Sequence, residues 1–121
     1  MAKIPALPPT VRAWLFEGPL SAYVPAYIAR LRRGCYATST SGRWLNGVAH
    51  FAHWMSMCQL LARMLDDSSI DQFLHEHLPR CDCPGGVLRT PPDLHAALVP
   101  LFAILRAHNV IAHPPPPAGP I

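Results

Sequence analysis

Charge is scarce in this chain. Only 14% of its 121 residues are Asp, Glu, Lys or Arg, while 50% are apolar. That balance excludes a solvated, disordered polymer, which needs many charges and few apolar side chains. Long apolar runs are missing as well: none reaches the ~18 residues of a membrane span. Lys3, Pro5, Pro8 and Pro9 break up the first twelve residues, so no continuous apolar segment of a secretory signal is expected there. No stretch alternates apolar and polar residues with a period of two, which argues against a sheet. Acids are few, seven against ten Lys and Arg, giving a formal charge of +3. This excess permits a polyanionic partner without requiring one. Without an export signal, the four cysteines point to reduced thiols or a metal site rather than disulfides. The expected compartment is the cytoplasm, with no membrane partner.

What is abundant is proline, fifteen residues in all, with Pro114 to Pro117 consecutive. A proline run offers no amide donors and adopts an extended polyproline conformation, so 112–121 reads as a semi-rigid linker. Residues 1–17 show no periodicity and read as a flexible leader. Between them lies one domain's worth of helical pattern, 18–111. Leu20, Tyr23, Val24, Tyr27, Ile28 and Leu31 recur at the spacing of one buried helical face. Arg30, Arg32 and Arg33 crowd the last turn, favourable at the negative end of the dipole, and Gly34 supplies a stop. Thr38, Ser39 and Thr40 offer N-cap hydroxyls for the next helix. Its apolar stripe is Trp44, Val48, Phe51, Met55 and Cys58, widened by Leu45 and Ala52; Arg43, Asn46, His50 and His53 form a separate polar stripe. No Gly or Pro marks its end. Ser69 and Gln72 have capping-box spacing before Ile70, Phe73, Leu74 and Leu78. Thr90-Pro91-Pro92-Asp93 is a strong helix start, followed by a stripe of Leu94, Ala97, Leu98, Leu101, Phe102 and Leu105. The expected fold class is therefore all-α, a compact bundle of four helices, or five if a short turn is counted. Pro25 and Pro100 fit badly, since proline inside a helix costs about 3 kcal/mol. Gly42 and Gly47 cost up to about 1 kcal/mol each.

The order of several short motifs carries a resemblance. Gly18-Pro19-Leu20-Ser21-Ala22-Tyr23 is followed by Leu31-Arg32-Arg33-Gly34-Cys35-Tyr36, then Thr38-Ser39-Thr40, Trp44-Leu45 and His50-Phe51-Ala52-His53-Trp54. This arrangement, with Phe73-Leu74-x-x-His77-Leu78-Pro79-x-Cys81-x-Cys83-Pro84, resembles the N-terminal core-binding domain of tyrosine recombinases and phage integrases. The resemblance spans about Gly18 to Ile111. It implies a SAM-like helical arm forming half of a clamp on double-stranded DNA, contacts with other recombinase protomers, and a role in DNA recombination and integration of mobile elements. It also implies a nucleoid association when DNA is bound. The family's catalytic arginines, His-x-x-Arg and tyrosine nucleophile belong to a second domain that is not found in this sequence, so no enzymatic activity is expected. His77-Leu78-Pro79-Arg80 matches His-x-x-Arg only superficially, and Tyr23 and Tyr27 share an apolar face and read as core.

On this reading the DNA contacts are Arg32, Arg33, Thr38, Ser39, Thr40 and Arg43, with Arg89, Thr90 and His95 secondary. Helix N-termini carry free amides that suit a phosphate, guanidinium groups add bidentate contacts, and such contacts position rather than read sequence. The plainer reading leaves the hydroxyls as caps and the arginines solvated. A second constellation is His75-x-His77-x3-Cys81-x-Cys83, whose imidazoles and thiols suit tetrahedral zinc. His75 and His77 project about 200° apart on a helix, so both reach one ion only if the helix ends early, as Leu78-Pro79 allows. Cys81 and Cys83 are expected as ligands ahead of either histidine, with His77 the third. The alternative leaves a reduced Cys loop with histidines on the helix surface. His50 and His53, three apart on a helix, could also pair on a metal, but their place on the polar stripe favours surface or DNA-facing residues. Trp44, Phe51 and Trp54 read as core, not as stacking platforms. The rival functional class is a small, zinc-stabilised protein-interaction module with no nucleic-acid role.

Overall fold

A computed structural model describes residues 7–81, 83 and 90–111, except the side chain of Asp67. The expected linker 112–121 lies outside them. Among the described residues the regular structure is all helical: α1 Pro9–Phe16, α2 Val24–Arg33, α3 Thr38–Met57, α4 Asp67–Gln72 and α5 Pro91–Ala107, with short 3-10 turns between. No helix of this set is long and apolar enough to cross a membrane.

The first correction concerns the leader. Pro9 opens α1 at a position where its missing amide is harmless, and Val11 and Leu15, one turn apart, are both buried. Trp14 lies flat on His53 of α3, with ring centroids 3.9 Å apart and 11° between planes. Gly18 lets the chain leave closely: a Cβ there would sit 2.5 Å from the Trp14 carbonyl oxygen. A second correction removes a misfit. Leu20 precedes a 3-10 turn, Ser21–Tyr23, and α2 starts at Val24. Pro25 therefore occupies a first turn, where its missing N–H would have had no helical partner. Val24, Tyr27 and Leu31 carry the buried face of α2.

Three helices end in the same way, and glycine has no part in it. Cys35, Gln59 and Asn109 take the left-handed conformation, with φ of 54°, 58° and 58°. Each lies between two reverse hydrogen bonds: Tyr36 N–H to Leu31 O, Leu60 N–H to Met55 O and Val110 N–H to Leu105 O close the wider ring. This is the Schellman arrangement. Gly34 itself is right-handed, with φ −79°, so it is not the left-handed stop that the sequence suggests. It is small because the Tyr36 ring lies over it, and a Cβ would meet that ring at 2.4 Å.

Helix α3 is buried on nearly every side: Ser41, Leu45, Gly47 to Ala52, Trp54 and Met55 are all enclosed. Its N-cap is Ala37 with no side-chain cap, so Thr38, Ser39 and Thr40 form the first turn instead of capping it. Cys58, expected on the apolar stripe, is exposed at the C-cap. Arg43 meets Asp93 at 3.6 Å and Phe51 meets Phe102 at 5.9 Å between centroids. Two contacts eight and nine residues apart on the respective helices mean that α3 and α5 run side by side in the same direction. Phe51, Trp54 and Phe73 complete an aromatic core with ring separations of 5.2–5.6 Å. All six residues of the expected α5 stripe are buried. Pro100 does fall inside α5, and the Tyr27 hydroxyl donates to the nearby Ala97 carbonyl at 2.8 Å. Helix α4 begins ahead of the Ser69 start that the sequence suggests. Asp66 accepts from Ser68 N–H, and Ser69 Oγ accepts from Asp66 N–H, both at 2.9 Å. Donation to the carboxylate by the Ser68 hydroxyl first, and by the Ser68 N–H next, holds the Asp66 carboxyl below its ordinary range.

Candidate metal centre

After α4 the backbone widens into a π turn, Phe73–His77, then tightens into a 3-10 turn, Leu78–Arg80. Such turns cluster at functional sites because the changed pitch re-aims side chains. Here Phe73 points into the core with no exposure, and His77 stacks beneath it at 5.4 Å and 19°. His75 remains exposed on the outside of the turn. From the other side, the middle of α3 presents His50, fully buried and edge-on to Phe73 at 5.0 Å. The chain then returns after Arg80 and brings Cys81 and Cys83 against the two imidazoles.

The four side chains converge. His50 Nε2 lies 3.2 Å from Cys81 Sγ and 3.3 Å from His77 Nε2. Cys83 Sγ lies 3.5 Å from His77 Nε2, and Cys83 N–H approaches Cys81 Sγ at 3.4 Å. All four ligand atoms fall within 4.8 Å of one another. Cys83 is buried, 6% exposed, and Cys81 is half-buried. The group is a candidate metal-binding cluster, tying α3, the π turn and the cysteine segment at one point.

Of the expected ligands, His77, Cys81 and Cys83 meet; the fourth partner is His50 rather than His75. The helical pattern puts His50 on a polar surface stripe, and its complete burial corrects that expectation. The reason is geometric. A central helix packed by α1, α5 and the π turn has no solvent face at that level, so position on a helical wheel no longer marks exposure. The sequence does carry a signal: in Val48-Ala49-His50-Phe51-Ala52 the histidine is the only polar residue. His53 does not pair with it; stacking under Trp14 partly desolvates the ring, which lowers its pKa and favours the neutral form. Phe51 and Trp54 are core, as expected, while Trp44 is half-buried against Tyr36 at 4.9 Å.

No protein-family model, no curated protein and no solved structure matches this chain. The arrangement must therefore be read from its own chemistry.

The residues expected at DNA lie elsewhere. Arg32 and Arg33 are exposed on the last turn of α2; Thr38 and Ser39 are exposed and Thr40 half-buried on the first turn of α3. Arg43 is exposed but shares its charge with Asp93. Thr90 is exposed at the N-cap of α5 and His95 lies exposed one turn further on. Arg89 lies outside the described residues. Because α3 and α5 run parallel, both of their N-termini face the same end of the bundle as the α2–α3 turn.

Proposed function

We propose that this chain is a zinc-stabilised helical module. The supporting observation is the spacing of the four ligand atoms. Zinc bonds of about 2.0–2.1 Å to nitrogen and 2.3 Å to sulfur require tetrahedral edges of about 3.3 Å between nitrogens and about 3.6 Å from nitrogen to sulfur. Three of the six edges are close to this, 3.3 Å for the nitrogen pair and 3.2 and 3.5 Å for two mixed pairs, and all four atoms lie within 4.8 Å of one another. Mutual hydrogen bonding accounts for them less well. A ring nitrogen has one hydrogen or one in-plane lone pair, yet each Nε2 here faces two partners. A single cation at the centre serves all four atoms. With four protein ligands the coordination is closed, which is the pattern of structural rather than catalytic zinc and supports a non-enzymatic role.

Zinc content decides the matter. The purified protein should carry one zinc per chain, and cobalt in its place should give a thiolate-to-metal absorption band with tetrahedral d–d transitions. His50→Ala and Cys83→Ser should lose the metal, while His75→Ala, exposed and outside the cluster, should keep it. Metal retained by the His50 variant would remove the proposed site.

A second reading concerns the partner. The parallel N-termini of α3 and α5, beside exposed Arg32 and Arg33, favour the sugar–phosphate backbone of duplex DNA, as expected for the core-binding arm of a tyrosine recombinase. Zinc would then fix the bundle that carries this end. In a salt-titrated gel shift, Arg32→Ala with Arg33→Ala should weaken binding and lower the slope of log K against log salt by about 0.9 per lost phosphate contact. Arg43→Ala should matter less, since Asp93 already holds part of that charge. Absent or salt-insensitive binding at low ionic strength would leave the rival class, a zinc-stabilised module with protein partners.

A further inference from the structure

The two sulfurs of the cluster differ in access, and this suggests a chemistry beyond holding the fold. Resting on the zinc reading above, we propose that Cys81 and Cys83 are a peroxide-oxidisable pair whose disulfide expels the metal. Cys81 is half-buried and reachable from solvent, whereas Cys83 is enclosed. Small oxidants attack thiolates, and a bound metal ion keeps a thiol deprotonated at neutral pH. The Cys83 N–H lies 3.4 Å from Cys81 Sγ, which holds the two cysteines against each other. Cys81 is thus the sulfur that a hydroperoxide meets first. Its partner is already at hand, because the two Sγ atoms lie within 4.8 Å.

The steps balance with hydrogen peroxide as the oxidant. The Cys81 thiolate attacks one peroxide oxygen; the O–O bond breaks, hydroxide leaves, and Cys81 becomes a sulfenic acid. The Cys83 thiolate then attacks that sulfur; the S–O bond breaks, a second hydroxide leaves, and the S–S bond forms. Two electrons pass from the two thiolates to the peroxide. Zinc has now lost both sulfur ligands and keeps only His50 and His77, too few for a structural site. A bridge across one intervening residue is strained, and strained disulfides are readily reduced. The reaction should therefore reverse with a thiol reductant and added zinc. His50, fixed in the middle of α3, stays in place to receive the metal again.

Cys35 and Cys58 are exposed and outside the cluster, so the test uses the full chain with Cys35→Ser and Cys58→Ser. Zinc is counted before peroxide is added: a protein without it, or one still loaded after Cys83→Ser, overturns the zinc reading itself. In the loaded protein, peroxide should release one zinc per chain, read by a chromogenic chelator, and mass spectrometry should show a loss of two hydrogens mapped to the Cys81–Cys83 peptide. Dithiothreitol with zinc should restore both. Cys81→His, which keeps a ligand but removes the attacking thiol, should retain its metal under the same peroxide. Release accompanied only by added oxygen on Cys81, or zinc that stays bound while Cys35 and Cys58 of the unsubstituted chain are oxidised, overturns the proposal with the zinc reading intact. Should the Cys81→His chain not fold, the mass shift of the parent protein still decides.

Discussion

Two buried polar side chains, Tyr27 and His50, do different work in the same core. The Tyr27 ring fills space between α2 and α5, and its burial raises the pKa of the hydroxyl well above its ordinary value. It stays protonated and donates to Ala97, whose carbonyl lies one turn before Pro100. The carbonyl that Pro100 deprives of a helical donor is that of Ala96, four residues back, so the Tyr27 bond to Ala97 is an additional tie between α2 and α5 rather than a replacement for the missing amide. Tyr27→Phe preserves the ring and removes only the hydrogen bond. The expected loss is about 0.5–1.5 kcal/mol, the net worth of one hydrogen bond, measured by urea denaturation with an unchanged slope. A loss below a few tenths would mean that this bond adds nothing to the contact between α2 and α5. Tyr27 is legible as core from its spacing; its hydroxyl partner is not, because nothing in the helical stripe reports a contact 70 residues away. For His50 the same limit applies more severely. Three of the four clustered ligands stand close together in sequence, while the fourth comes from α3, 27 residues before His77.

At the scale of elements, strong periodicity and proline starts are sufficient. The buried faces of α2 and α5 and the Thr90-Pro91-Pro92 start come directly from the order of residues. Helix α1 is hidden in the sequence because eight residues hold only two fully buried positions, Val11 and Leu15, too few to establish a period. The ends of α2, α3 and α5 are hidden for another reason. Glycine usually marks a left-handed terminus, and here Cys35, Gln59 and Asn109 take that conformation instead. Asparagine tolerates it; a cysteine or glutamine carries a steric penalty of about 1–2 kcal/mol because its Cβ crowds the carbonyl. Gln59 is exposed, so its side chain contributes little packing. Gln59→Gly is expected to stabilise the protein by about 0.5–1 kcal/mol, after the greater flexibility of glycine in the unfolded chain is subtracted. Gln59→Ala keeps the Cβ and should give no gain. Equal midpoints for the Gly and Ala variants in a denaturant titration would show that the left-handed strain is negligible.

For the molecule as a whole, the question is how far the metal and the apolar core depend on each other. Leu45, Val48, Phe51, Leu94, Leu98, Leu101 and Leu105 have no exposure at all; they join α3 to α5 without reference to the cluster. The π turn is held to the core by Phe73 as well as by the cluster, whereas Cys81 and Cys83 meet α3 and the π turn through the cluster. Removing zinc should therefore loosen one side of the bundle and leave α1, α3 and α5 assembled. This differs from zinc fingers, which lack a core of their own and unfold without metal. The size of the effect comes from mass action: free zinc at about a thousand times the dissociation constant stabilises by about 4 kcal/mol. In a chain near 100 residues each kcal/mol moves the melting temperature by roughly 4–8 °C. Chelation should then lower the midpoint by on the order of 20 °C, with most of the far-ultraviolet helical signal kept at room temperature. Hydrogen exchange should quicken first around His77 and Cys83, and last around Leu98 and Leu101. Complete loss of helix on chelation would mean that the apolar core cannot stand alone. A melting temperature unmoved by chelator would mean that the four side chains contribute nothing as metal ligands to the fold.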